Sequence, residues 1–158
     1  MVKKDGKARS IGVSNYLQSH FEVTLKTATI PPSINQTEFH PYLQREGLLP
    51  FQQQHNIATA AYGPLTPITK DRPGPCDEIL ASLAKKYYVS EGEILLRWCI
   101  DQGVVAVTTS SKEERLTDYL RVTAFKLTPK EVKEIAETGL QKHVRGFWNH
   151  IYAENDRR

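Results

Sequence analysis

A chain of 158 residues with 39% apolar and 25% charged side chains has the make-up of one ordinary globular unit. It never reaches the roughly 18 consecutive apolar residues of a membrane span, and Met1-Val2-Lys3-Lys4-Asp5-Gly6 has no apolar stretch behind it to act as a signal peptide, so a cytoplasmic location without membrane partners is expected. The net charge of +3 comes from basic residues scattered among Asp and Glu, which argues against a nucleic-acid surface, and the two cysteines, Cys76 and Cys99, make neither a disulfide framework nor a spaced metal motif.

Four β-like runs follow in chain order, each leading through a loop into a helical pattern, which predicts repeated βα units and a parallel sheet. Ser10-Ile11-Gly12-Val13 comes first, and Leu17, Phe21, Leu25 and Ala28 after it share one helix face that Pro31-Pro32 ends. Ser33-Ile34-Asn35-Gln36-Thr37-Glu38-Phe39 is second, with Leu48, Leu49 and Phe51 starting a shorter helix that reaches about His55. Ile57-Ala58-Thr59-Ala60-Ala61-Tyr62 opens into a long loop over 63–75, with Pro64, Pro67, Pro73 and Pro75, read as too irregular for structure of its own and as a candidate lid. Asp77 then caps a helix with Ile79, Leu80, Leu83, Ala84 and Tyr87 in one stripe. Ser90 and Glu93 form a capping box for a helix carrying Leu95, Leu96, Trp98 and Cys99, closed by Gly103. Val104-Val105-Ala106-Val107-Thr108 is the fourth run, and a further box at Thr128-Pro129-Lys130-Glu131 starts a helix that stops at Gly139. No linker divides 1–158, so it reads as a single unit.

Polar residues gather where these strands end: Ser14 and Asn15, then Gln36 and Glu38, then Tyr62, then Thr109, Ser110 and Ser111. That end of a βα sheet holds ligands, because its loops and helix N-termini face one crevice. Taken singly, each residue serves equally well as a turn or a cap. After the fourth strand, Ser110 or Ser111 can cap the next helix with Glu113 or Glu114 closing a box, and the free N–H groups of its first turn attract an anion. Lys112 and Arg115 lie in or beside that turn, where the helix dipole disfavours cations. Either Glu113 and Glu114 neutralise them as a solvated surface, or a phosphate sits between them.

Gly12-Val13-Ser14-Asn15-Tyr16, Asn35-Gln36-Thr37-Glu38-Phe39-His40-Pro41-Tyr42, Ala61-Tyr62-Gly63-Pro64-Leu65 and Leu95-Leu96-Arg97-Trp98 occur in the order and approximate spacing of the aldo-keto reductases, a family this chain resembles along nearly its whole length. The wording of Thr108-Thr109-Ser110-Ser111-Lys112-Glu113-Glu114-Arg115 is nearest to fungal NADPH-dependent reductases of α-dicarbonyl and keto compounds. The resemblance implies an α/β fold, the C-terminal half of a TIM (β/α)8 barrel, with the four strands as the family's fifth to eighth. It implies NADPH as cofactor and a small carbonyl as substrate. Ser14, Asn15 and Gln36 then resemble the side chains that hold the nicotinamide carboxamide, Tyr62 the ring that stacks under the nicotinamide, and Leu65 the start of the segment over the pyrophosphate. Ser110 and Arg115 resemble binders of the adenosine 2′-phosphate, with Ser111 beside them in the same motif. Thr109 stands where the family usually has a lysine, which would leave Lys112 to supply that charge, and Asp118 and Tyr119 replace a common Glu-Asn pair at the adenine.

The family's catalytic Tyr, Asp, Lys and His come from its second to fourth strands, so no catalytic residue is expected in this chain, and His40, which follows a different strand, reads as structural. A barrel of this type needs about 250 residues. The expectation is therefore a partial domain lacking its N-terminal half, with two open sheet edges that invite self-association or pairing with that half. A non-catalytic NADP-binding module and a truncated, inactive reductase are the other readings. Phe147, Trp148, His150 and Tyr152, in 139–156, either line a carbonyl pocket or pack the tail.

Overall fold

The computed structural model describes residues 3–45, 47–153 and 156–157. The four runs become strands β1 (Val13–Ser14), β2 (Ile34–Glu38), β3 (Ala58–Tyr62) and β4 (Val104–Val107), hydrogen-bonded in chain order and all parallel. β1 is shorter and later than its run suggests. It has a partner on one side only, and the left-handed Asn15 (φ 58°) turns the chain away after two residues. A single bond from Ser33 N to Ile11 O, 2.8 Å, extends the pairing backward.

Side chains alternate across a strand, so register assigns the two faces. Asn35, Thr59 and Val104 align on one face, with Thr37 and Ala61 beyond them, and all five are buried under helices. On the other face Ser14, Gln36, Ala60 and Val105 form one row and Glu38, Tyr62 and Val107 the next. That second face is open in part: Val105 is 51% and Val107 38% exposed, while Ala60 and Glu38 are buried.

The helices are α1 (Gln18–Thr27), α2 (Leu48–Gln54), α3 (Thr66–Thr69), α4 (Asp77–Tyr87), α5 (Glu91–Asp101), α6 (Glu113–Leu120) and α7 (Pro129–Gly139), with a 3-10 turn at Arg121–Thr123. The centre of the core is α5, whose Ile94, Leu95, Leu96, Trp98 and Cys99 are buried, each large side chain contributing about 1.5–3 kcal/mol. Trp98 stacks on Phe39 (5.1 Å, 14°) and donates to Val132 O, 3.0 Å, which ties α5 to β2 and α7. Both boxes read from the sequence form: Ser90 with Glu93, and Thr128 with Glu131. Gly103, at φ 74°, follows the end of α5 as expected.

Three local expectations are corrected. Segment 63–75 contains a helical turn, α3, because Pro67 suits the start of a helix. Cys76, not Asp77, is the N-cap of α4; the Asp77 carboxylate turns back to accept from Gly74 N, 2.9 Å. In α1 only Phe21 of the four-residue stripe is fully buried, since this helix packs at the sheet edge in a small cluster with Leu48 and Ile57.

Candidate functional site

At the C-terminal ends of β1, β2 and β3, Gln36 is the hub. Its backbone oxygen accepts from Asn15 N (2.9 Å) and from the Ser14 hydroxyl (2.9 Å). Asn15 takes a left-handed backbone, φ 58°, which asparagine adopts more readily than most residues. Its Oδ1 accepts from the Tyr62 hydroxyl, 2.8 Å, which orients the amide and leaves Nδ2 as its free donor type. The Gln36 side chain stands exposed on the open face. Burial, followed by the Glu38 charge, pushes the Tyr62 phenol above its usual range, so it stays neutral and keeps donating.

Asn35 supports this arrangement from the opposite face. It is fully buried, accepts from Tyr16 N (3.2 Å) and donates to Tyr16 O (3.0 Å), pinning the chain just after Ser14 and Asn15. The resemblance assigns Asn35 no role, although period-two alternation already sets it opposite Gln36.

Two adjoining cavities of about 390 Å³ each run from Tyr62 along the following loop. The first is lined by Tyr62, Gly63, Lys70, Val107, Thr109 and Phe147, among others, and the second by Ser90, Glu91, Arg115, Asp118 and Tyr119. Leu65 and Thr69 line both and so form the wall between them. Both volumes fall in the range of small-molecule clefts. Tyr62 and Leu65 are thus brought to the first cavity and Leu65 and Arg115 to the second, while Ser14, Asn15, Gln36 and Ser110 line neither, and Ser111 and Lys112 are exposed and line neither.

The box expected before α6 does not form. Lys112 is the N-cap and receives no side-chain cap, while Ser110 Oγ accepts from Lys112 N at 3.1 Å, a turn-type bond one step too early. The first-turn N–H groups of α6 therefore have no serine cap, and Arg115 stands on that turn over the second cavity.

Glu38, which the sequence places with the polar residues at the ligand-holding strand ends, is instead fully buried in a polar group with His40 and Arg45. Glu38 Oε1 accepts from Gly146 N (2.6 Å) and pairs with His40 Nε2 (3.2 Å), and Arg45 Nε donates to Glu38 O (2.9 Å). Burial opposes charge on Glu38, but the His40 hydrogen bond, the Gly146 N–H and the Arg45 charge outweigh it and hold the carboxyl below its ordinary range. His40, fully buried, is pushed the other way by desolvation, which exceeds its attraction to Glu38, so it donates as a neutral imidazole. Its structural reading agrees with this burial, and its role is to orient the carboxylate that anchors the C-terminal segment. Among the described residues no cluster of three or more His, Cys, Asp or Glu could hold a metal ion, and no helix is long and apolar enough to cross a membrane.

A parallel βα sheet with its polar residues on one rim, beside two adjoining cavities, is the arrangement in which α/β folds hold small ligands. Residues 1–139 match the family model described as the aldo/keto reductase family, and the chain belongs to that family. It is 42% identical, over 96% of its length, to an NADPH-dependent alpha-keto amide reductase of Saccharomyces cerevisiae, and 41% identical, over 92%, to an NAD/NADP-dependent indole-3-acetaldehyde reductase of Schizosaccharomyces pombe. It covers 51% and 52% of those proteins, so the chain spans about half the length of the curated relatives it matches. Among solved structures, an aldo-keto reductase from a Medee basin deep-sea metagenome library superposes with a TM-score of 0.85 at 29% identity, covering 96% of this chain and 55% of that one. A Bombyx mori aldo-keto reductase in complex with NADP gives 0.82 at 34% identity, covering 87% and 47%. The four parallel strands and their helices are the C-terminal half of a TIM barrel, as expected.

Proposed function

We propose that residues 1–158 form the cofactor-holding unit of an NADPH-dependent reductase that converts aldehydes or ketones to alcohols in the cytoplasm. The observation that carries this reading is the linkage of Ser14, Asn15, Gln36 and Tyr62 at one rim, continued through Leu65 into a second chamber lined by Arg115. The names of the yeast relative and of the NADP-bound insect structure support it.

When bound, the cofactor supplies a hydride to the carbonyl carbon. The chain's own residues bind and orient. Asn15 and Gln36 offer amide groups, and Ser14 a hydroxyl, to a carboxamide at the β1–β2 end, which sets the ring face presented. Tyr62 offers a neutral aromatic face held in place by its bond to Asn15. Leu65 and the loop after it flank a diphosphate. Ser110, Ser111, Lys112 and Arg115 lie at the start of α6, where a 2′-phosphate gains both backbone N–H groups and two cationic side chains. Proton delivery to the carbonyl oxygen falls outside the motifs carried by this chain.

Titration of NADPH, followed by nicotinamide fluorescence, tests this reading. Loss of one charge-assisted contact in Arg115→Ala is expected to weaken NADPH about 10- to 100-fold, with NADH little changed. Equal weakening of both cofactors would remove Arg115 from the 2′-phosphate site, and an absence of binding to the intact chain would end the reading. NADPH oxidation with an aldehyde or α-keto amide is expected only when a segment bearing the family's second to fourth strands is supplied. Binding without turnover in that completed assembly would mark a non-catalytic module.

A further inference from the structure

The C-terminal segment brings Phe147 to the first cavity. Gly146 is held from both sides: its N–H donates to Glu38 Oε1, 2.6 Å, and its carbonyl accepts from Lys70 Nζ, 3.4 Å. A Cβ at this position would lie 3.0 Å from Glu38 Oε1 and 3.5 Å from Lys70, so glycine lets the strap lie close. The next residue, Phe147, projects into the cavity. Its ring meets Tyr62 edgewise (5.3 Å, 86°) and crowds the Gly63 backbone, where an added Cβ would stand 3.0 Å from the Phe147 ring. Lys70 Nζ caps that ring at 3.5 Å from its centroid.

An exposed cation–π contact of this kind is worth about 0.5–1 kcal/mol. A hydrogen bond from the same ammonium to a phosphate oxygen is stronger. Lys70, Phe147 and Tyr62 line one chamber, so a diphosphate entering it competes with the Phe147 ring for the Lys70 charge, and a flat ring seeking Tyr62 competes with Phe147 for space.

We propose that Phe147, clamped by Lys70, is a plug in the chamber beside Tyr62, and that nucleotide binding draws Lys70 from the ring to the diphosphate and releases the strap that carries Phe147 and Trp148. This rests on the cofactor reading above and adds to it a coupling between cofactor occupancy and the aromatic C-terminal segment. Phe147 is the opposing group, and Lys70 changes partners between the two states.

Two variants of the full chain test the gate. Phe147→Ala removes the plug and is expected to bind NADPH about three- to tenfold more tightly than the unaltered chain, the size of one lost aromatic contact. Lys70→Met keeps the length but not the charge. It is expected to bind NADPH several-fold more weakly and to show fast chymotryptic cleavage after Trp148 with or without nucleotide, whereas in the unaltered chain NADPH accelerates that cleavage. If the unaltered chain binds NADPH and Phe147→Ala binds no better, or NADPH leaves the cleavage rate unchanged, the gate is overturned while the cofactor reading stands. If neither the unaltered chain nor Phe147→Ala binds NADPH, the cofactor reading fails and takes the gate with it. Should Phe147→Ala fail to fold, Lys70→Met, altered at an exposed side chain, still decides through the cleavage assay.

Discussion

Asn35 and Gln36 are adjacent amides with opposite fates. The pleat turns Asn35 into the helix layer, where it holds the backbone of Tyr16, and turns Gln36 to the open face, where its side chain remains available. Only one of the two can touch a ligand on that face, and the other determines where Ser14 and Asn15 stand. Glu131 shows the same dependence on surroundings through its titration. Burial alone would raise its pKa, but bonds from Lys86, Thr128 and Tyr87 lower it from 4.5 to about 2. A carboxylate with a depressed folded value stabilises fully above its unfolded value and loses that contribution as pH falls through the folded one. Glu131→Gln is therefore expected to cost about 1–3 kcal/mol near neutrality. In urea unfolding followed by circular dichroism, the gap between variant and unaltered chain should close between pH 4.5 and about 2. A gap that persists at the acid end would mean that Glu131 acts through packing and not through its charge.

Helix ends divide into those legible in the sequence and those not. Ser90-Glu93 and Thr128-Glu131 are spaced for reciprocal bonds, and both boxes form. Adjacent serines before α6 offered two equivalent caps, and Ser110 instead satisfies Lys112 N–H in a turn, leaving the helix start uncapped by a side chain. Local pattern cannot separate two serines one residue apart, because both are able to reach a nearby N–H. The end of α7 falls at Gly139 as the sequence reads, and a distant contact is what requires glycine there. Gly139 is buried against Pro41, and a Cβ there would fall 2.3 Å from Pro41 O, a backbone atom that cannot turn away. Gly139→Ala is expected to destabilise by about 1–3 kcal/mol, as overpacking does, read as a lower denaturant midpoint. An unchanged midpoint would show that α7 shifts freely against the β2–α2 connection.

On the scale of the molecule, one side of the sheet is covered by helices and the other presents Val105 and Val107, with β1 and β4 as edges that no further strand pairs among the described residues. Open parallel edges and exposed aliphatic rows favour association. Sedimentation velocity of the 158-residue chain is expected to show concentration-dependent association. Replacing Val105 and Val107 together by Ser should reduce it while leaving the helix-side core intact. Association undiminished in that variant would assign the contact to the strand edges and not to the face.

The amino-acid sequence by itself determined the order of β and α elements apart from α3, the two capping boxes, the family, and the motif residues at the rim. These follow from periodicity and short-range bonding, which act over a few residues. Tertiary structure alone decided that Leu65 separates two chambers, that Ser111 and Lys112 stand outside them, and that Glu38 anchors Gly146 across 108 residues of chain while Lys70 meets it across 76. Contacts at such separations depend on how whole layers pack and on where a C-terminal strap comes to rest. Neither quantity is encoded in the local pattern at either end of the contact.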